Sequence, residues 1–319
     1  MDNKLENKIT LLSVVGPTAS GKTSLGVALA KRFDGEVISA DSMQIYKSMD
    51  IATAKPSAEE MCGVPHHLIG FLPPDETFSV AQFTTLAKAA VEDIHSRGKL
   101  PIIVGGTGLY VDSLLNNITF SENDSDEQLR AELRMKAEQF GVMSLIDELR
   151  EFDPESAERI EPNNVKRVIR AIEVYRTTGL TMTEQNRRSK LIESPYKAVK
   201  LGLKANDRQF LYDRINRRVD IMVKLGLLDE ARDVLKGECS QTAKKAIGYK
   251  ELEPYFEGEK TLEEALEELK KQSRRYAKRQ LTWFLRDKEI HWFDIDTFES
   301  TAQLEADAIA YVESITKLA

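Results

Sequence analysis

Cysteine and long apolar runs are what this sequence does without. Two cysteines, Cys62 and Cys239, stand in 319 residues, too few for a disulfide framework. No uninterrupted apolar stretch reaches the length of about 18 residues that a membrane-spanning helix needs. The first residues are polar and lack the apolar core of a signal peptide, so a reduced, cytoplasmic protein is expected. Cys62, His66 and His67 lie close together, yet no second cysteine pair completes a zinc set, and structural roles are expected of all three. Internal repeats and low-complexity tails are also missing.

What is present is ordinary for a globular chain: 41% hydrophobic and 30% charged residues, in a length that suits one large α/β domain or two smaller ones. A net charge of −7, evenly spread, would argue against a nucleic-acid partner. It is not evenly spread. Residues 163–218 hold 14 Lys/Arg against 5 Asp/Glu, whereas residues 121–162 hold 5 against 13. A second basic run, Lys270 to Lys288, has 8 cations and only Asp287 of opposite sign. Taken singly, either run also reads as a solvated helix face.

The most specific stretch is near the start. Ile9 to Val15 reads as a buried strand, and a helical pattern opens near Gly21 and runs through Leu25, Leu29 and Phe33. Between them, Gly16-Pro-Thr-Ala-Ser-Gly-Lys-Thr23 matches the phosphate loop G-x-x-x-x-G-K-[S/T], with the strand before it and the helix after it that this motif requires. Gly16, Thr18, Ala19, Ser20 and Gly21 supply backbone amides that converge on phosphate oxygens, and the helix N-terminus adds positive potential. Lys22 is a mobile point charge for a polyphosphate, and the Thr23 hydroxyl is a ligand for Mg²⁺. A di- or triphosphate ligand follows.

Downstream, Glu36-Val-Ile-Ser-Ala is a second strand ending at Asp41, which places Asp41-Ser-Met-Gln-Ile-Tyr46 at the sheet edge where ligands sit in open parallel sheets. Three readings stand for Asp41: a water-mediated Mg²⁺ ligand, a general base, or a cap for the next turn. Residues 50–78 carry four prolines and read as loop. Ser79 caps a helix through about Arg97, Leu100 to Val104 is a third strand, and Gly105-Gly-Thr107-Gly-Leu-Tyr110 is a second glycine-rich turn into a helix. From about Phe120 to Pro195 strands give way to three or four helices, with Arg167 and Arg170 three apart on one face. Strand-like alternation returns at Lys197. Asp207 caps a helix carrying Arg214 and Arg218 four apart, and Met222 to Leu235 continues the helical pattern. Ala246 to Glu251 forms a turn whose Tyr249 either stacks on a base or packs. A long helix, Thr261 to about Asp287, interleaves Tyr276, Gln280, Trp283 and Phe284 with cations. The expected fold is α/β, a P-loop NTPase-like core with a parallel sheet flanked by helices and an all-helical insertion. Residues 1–120 and 197–319 form the core, and 121–196 the insertion.

These motifs, in this order, resemble the bacterial tRNA dimethylallyltransferases nearly end to end. The resemblance is carried by Gly16–Thr23, Asp41-Ser-Met-Gln-Ile-Tyr-Lys, Thr53-Ala-Lys-Pro, Pro65-His-His-Leu, Val104-Gly-Gly-Thr-Gly-Leu-Tyr, Asn163-Asn-Val-Lys-Arg-Val-Ile-Arg-Ala, Ile247-Gly-Tyr-Lys-Glu and Tyr276-Ala-Lys-Arg-Gln-Leu-Thr-Trp-Phe. It implies that the phosphate loop holds the diphosphate of dimethylallyl diphosphate with Mg²⁺, and that the allyl group moves to the exocyclic amine of the adenine just 3′ of the anticodon in tRNA. Asp41 matches the general base of the family, Thr107 a position beside it, and Arg218 a diphosphate contact with Arg214 as companion. Asp41, Ser42, Met43, Gln44, Thr107, Lys166, Arg167, Arg170, Lys244, Lys245, Gly248 and Tyr249 fall in regions that contact the tRNA anticodon stem-loop, with Arg130 a further contact. Gln44 is a candidate reader of an adenine edge. A monomer without membrane contact is expected. Read without the resemblance, the phosphate loop equally suits an ATP-dependent small-molecule kinase. The chain could also be an AMP-prenylating enzyme or a non-catalytic RNA-binding protein; the basic insertion argues against AMP, which needs no such surface.

Overall fold

A computed structural model of the chain describes residues 8–118 and 126–316, except for the side chain of Lys190. Among these residues six strands form one sheet: β1 Ile9–Val15, β2 Gly35–Ser39, β3 His66–His67, β4 Leu100–Gly105, β5 Tyr196–Lys204 and β6 His291–Asp294. Their order is β3-β2-β4-β1-β5-β6, and every pairing is parallel. Parallel pairing brings the ends of β1, β2 and β4 to one edge, since Val15 is in register with Gly105 and Ser39 with Val104. The phosphate loop, Asp41 and Thr107 therefore issue from neighbouring strands.

The alternation of β1 explains how both sheet faces are covered. Leu12 and Val14 point to one face, against Leu25 and Leu29 of the Lys22–Arg32 helix and Leu304 and Val312 of the Thr301–Ile315 helix. Leu11 and Val15 point to the other, against Phe83 and Val91 of the Val80–Ser96 helix and Val111 and Leu114 of the Gly108–Leu115 helix. Each such fully buried side chain stabilises the fold by about 1.5–3 kcal/mol. A third cluster, with Ile45, Tyr46, Met49 and Tyr249 at or below 1% exposure, packs beneath the segment that follows Asp41.

The chain divides into two compact units, residues 1–115 with 195–319, and residues 116–194. The boundary expected between 120 and 121 lies outside the described residues; the second falls at 194/195, and β5 starts at Tyr196. Unit 2 has five helices among the described residues, including a short Pro154–Arg159 helix that the periodicity did not announce, nucleated by the Asp153 cap and a proline in its first turn. The core of this unit is Leu145, Ile146, Leu149, Val168 and Ile172. In the first unit the expected continuous helix through Met222–Leu235 is instead broken: Gly226, in the left-handed region at φ +102°, ends one helix and opens the Leu227–Lys236 helix.

Candidate active site

The phosphate loop is held open by glycines where nothing else fits. Gly16 has φ +147°, and a Cβ there would lie 2.5 Å from the Leu203 carbonyl oxygen. The loop turns through Ala19 at φ +64° and Gly21 at φ +97° into the Lys22–Arg32 helix. Lys22 donates from Nζ to the Pro17 carbonyl at 2.7 Å. Burial, and then the Arg218 charge, lower its pKa to about 7 against the opposing pull of Asp41.

Two arginines of the Arg208–Lys224 helix, one turn apart, reach this loop. Arg214 Nε donates to the Ala19 carbonyl at 2.8 Å, and Arg218 Nη1 to Thr18 Oγ1 at 3.4 Å. Burial disfavours the charge of Arg218, the Glu60 carboxylate opposes this, and Arg214 adds a smaller repulsion. Lys22, Arg214 and Arg218 thus gather cationic potential that an anion would relieve.

Across the strand edge, Asp41 Oδ1 accepts from the Met43 and Gln44 amides at 2.9 and 3.4 Å, which leaves Oδ2 without a hydrogen bond among the described residues. Burial raises its pKa, against the amides and Lys22. Thr107 sits beside it: its Oγ1 accepts the Ser42 amide at 3.0 Å, and its own amide donates to the Ala40 carbonyl at 3.1 Å. Tyr276 shares its hydroxyl with Thr107 and Gln280, and burial, together with the Asp41 charge, pushes its pKa well up.

Three side chains of the Leu262–Phe284 helix complete the edge without having been assigned roles from the sequence. Tyr276, Gln280 and Trp283 recur at i, i+4 and i+7, the spacing that would have placed them on one face. Gln280 bridges the two glycine-rich turns, and Trp283 Nε1 donates to Asp112 Oδ2 at 2.7 Å. The indole also explains Gly108, where a Cβ would come within 2.2 Å of the ring.

Other expected contacts come out differently. The Gln44 amide is turned to the protein itself: Nε2 donates to the Thr53 and Ala54 carbonyls at 3.2 and 3.0 Å, and Oε1 accepts from Ser39 Oγ at 3.2 Å, which leaves no amide proton for an adenine edge. Nor is Tyr249 placed to stack on a base. It is fully buried, and its hydroxyl donates to Glu230 Oε1 at 2.9 Å, while the amide of buried Gly248 donates to Glu251. Glu230 in turn accepts the amides of Asp50, Ile51 and Ala52 at 2.7, 2.7 and 2.9 Å, so the Tyr249 hydroxyl is engaged in holding the segment just before Thr53. Lys244 and Lys245 follow the single-turn Ser240 cap, Lys245 exposed.

In the second unit Arg130 and Arg170 pair with the fully buried Glu173 at 2.9 and 2.8 Å. Lys166 and Arg167, in the first turn of the Val165–Thr178 helix, are exposed and have no ion-pair partner among the described residues. Glu173 thus fixes two cations and leaves two to solvent. His67 is bonded to Glu36 at 2.7 Å and His66 to the Val64 carbonyl at 2.9 Å. Among the described residues no group of three or more His, Cys, Asp or Glu side chains is disposed to hold a metal, and no helix is long and apolar enough to cross a membrane.

Known proteins resemble this chain over nearly its whole length. The model of the IPP transferase family matches residues 44–287. The tRNA dimethylallyltransferase of Halalkalibacterium halodurans is 52% identical over 90% of this chain and 92% of its own length. That of Caldanaerobacter subterraneus subsp. tengcongensis is 47% identical over 95% and 98%. Among solved structures, the tRNA isopentenylpyrophosphate transferase of Bacillus halodurans aligns with a TM-score of 0.72 at 47% identity, covering 96% of each chain. A eukaryotic dimethylallyltransferase acting on tRNA aligns at 0.80 and 29% identity, covering 95% of this chain and 79% of that one.

Proposed function

The chain belongs to the IPP transferase family, and from that premise and the geometry of the sheet edge we infer that it moves the dimethylallyl group of dimethylallyl diphosphate to the exocyclic amine of the adenine immediately 3′ of the anticodon in tRNA. That it is a prenyltransferase of tRNA follows from the family; the donor, the base and the roles below are our reading of the site.

One observation carries the reading. A cationic cradle of Lys22, Arg214 and Arg218 faces a carboxylate, Asp41, whose second oxygen is left for a ligand. The cradle suits a leaving diphosphate. Negative charge builds on the bridging oxygen as the allylic carbon–oxygen bond stretches, and fixed donors stabilise it most where water is displaced. The carboxylate suits the acceptor. An exocyclic adenine amine is a weak nucleophile, and a base that takes its proton as the new bond forms lowers the barrier. Burial raises the proton affinity of Asp41, and its two backbone contacts hold Oδ1 so that Oδ2 can point at the amine. Thr107 fixes the Ser42 end of the same turn.

Thr23 directly follows Lys22, with its side chain partly exposed, which fits a Mg²⁺ ion held mainly by diphosphate and water. When bound, such an ion neutralises diphosphate charge. Lys166 and Arg167 suit phosphate-backbone contacts on the anticodon stem-loop, and the target base must leave its stack to reach a pocket of this kind.

The test is transfer of label from dimethylallyl diphosphate, with Mg²⁺, to unmodified tRNA bearing adenine 3′ of the anticodon. The control tRNA carries guanine there, and parallel reactions hold AMP or ATP. Label confined to the adenine tRNA is the expected result. Label in AMP, or consumption of ATP without transfer, would overturn it.

A further inference from the structure

We propose that Gln280 is a positioning residue for dimethylallyl transfer, tying the diphosphate loop to the turn that carries Thr107 and so holding leaving group and acceptor in register. The proposal rests on the transfer reading above.

Gln280 is 5% exposed. Its Oε1 accepts the Thr18 amide at 2.8 Å, and its Nε2 donates to the Gly106 carbonyl at 3.1 Å. The partners are 262 and 174 residues away in sequence, and they belong to the two glycine-rich turns that end β1 and β4. Seen from the reaction, they lie on opposite sides of it. Thr18 receives Arg218 on its hydroxyl, on the diphosphate side. Gly106 precedes Thr107, which holds Ser42 next to Asp41, on the acceptor side.

The residue type matters as much as the place. A primary amide is a side chain that accepts with one end and donates with the other, which this bridge requires at once. A carboxylate would meet the Gly106 carbonyl with a second acceptor, and an aliphatic chain would leave a buried amide and carbonyl unpaired. The bridge has shaped its partner too, because a Cβ at Gly106 would lie 2.0 Å from Nε2. Both turns are rich in glycine and have little stiffness of their own, so the tie supplies what their sequence withholds.

The seat of the helix does not depend on this bridge. Trp283 is fixed to Asp112 at 2.7 Å and Phe284 is 2% exposed in the core, so removing the amide alone leaves the helix anchored. A displacement of about 1 Å between reacting groups costs on the order of a hundredfold in rate. The consequence belongs in kcat, not in the affinity for either substrate.

The experiment compares the parent enzyme with Gln280→Ala and Gln280→Glu in transfer to adenine-bearing tRNA. It measures kcat, KM for both substrates, the melting temperature, and dimethylallyl alcohol. That alcohol forms when water attacks the allylic carbon, the carbon–oxygen bond breaks, diphosphate leaves and a proton passes to solvent. Expected are a fall in kcat of about tenfold or more in both variants, KM values within about threefold of the parent, and a larger share of donor lost to water. Gln280→Glu keeps acceptance of the Thr18 amide, so its loss tests the donating end of the side chain, which faces Gly106, and guards against an unfolded alanine variant. A kcat within twofold of the parent in both variants, or a loss carried wholly by KM, would overturn the proposal. A parent enzyme that transfers nothing would instead overturn the transfer reading.

Discussion

Arg218 reaches Thr18 across 200 residues of chain, Nη1 to Oγ1 at 3.4 Å, in a cluster whose charges disfavour one another. Side chains gathered against their own repulsion make a site that gains from an anion. Removing one preorganised donor from developing negative charge typically costs a factor of about 10²–10³ in rate. Arg218→Ala should therefore lower kcat by roughly that factor with the fold intact, measured by steady-state transfer and thermal melting. Arg218→Ala with near-parent kcat would remove Arg218 from the cradle.

Lys22 makes the same point through protons. With a folded-state pKa of about 7, it is largely neutral above that pH, and a bound diphosphate pulls its pKa back up. Binding of diphosphate then takes up a proton from about pH 7 upward and none well below it, where Lys22 is already charged. Affinity should weaken as pH rises through this window. Calorimetry in buffers of different ionisation enthalpy, about one pH unit to either side of that pKa, reads the uptake directly; equal proton counts on both sides would contradict the assignment.

Tyr249 distinguishes a structural tyrosine from an RNA contact. Its hydroxyl donates to Glu230, which holds the amides of residues 50–52, and the ring has no exposed face. Tyr249→Phe should cost about 1.5–3 kcal/mol of stability, the usual worth of a hydrogen bond to a charged acceptor. tRNA affinity should stay within about twofold. Urea unfolding and filter binding separate the two, and a variant of parental stability with weakened tRNA binding would restore the stacking role.

Some of this site was legible in the sequence because its signals are local. The loop Gly16–Thr23 announces itself by fixed spacing between a strand and a helix, Asp41 by its place at a strand end, and Arg214 and Arg218 by helical periodicity. Parallel pairing then does the assembly. What stayed hidden is long-range. Nothing near Gln280 tells that its partners are Thr18 and Gly106, and a turn containing Tyr249 reads the same whether its ring is buried or bare. Gln44 shows the same limit, since its amide is used up by carbonyls of a loop nine and ten residues on. In the insertion, Arg170 and Glu173 stand at i, i+3, a spacing that suits a mutual pair; the structure forms that pair and adds Arg130 from another helix.

The measurement that bears most directly on the account is single-turnover transfer by Asp41→Asn. Asparagine keeps the shape and the capacity to accept the Met43 amide, and removes only the base. Base catalysis by Asp41 predicts that transfer to adenine-bearing tRNA slows by about 10²-fold or more, while tRNA and diphosphate affinities stay within a few-fold of the parent. Transfer at a rate near that of the parent would contradict it, and the proton of the adenine amine would then have to leave by another route.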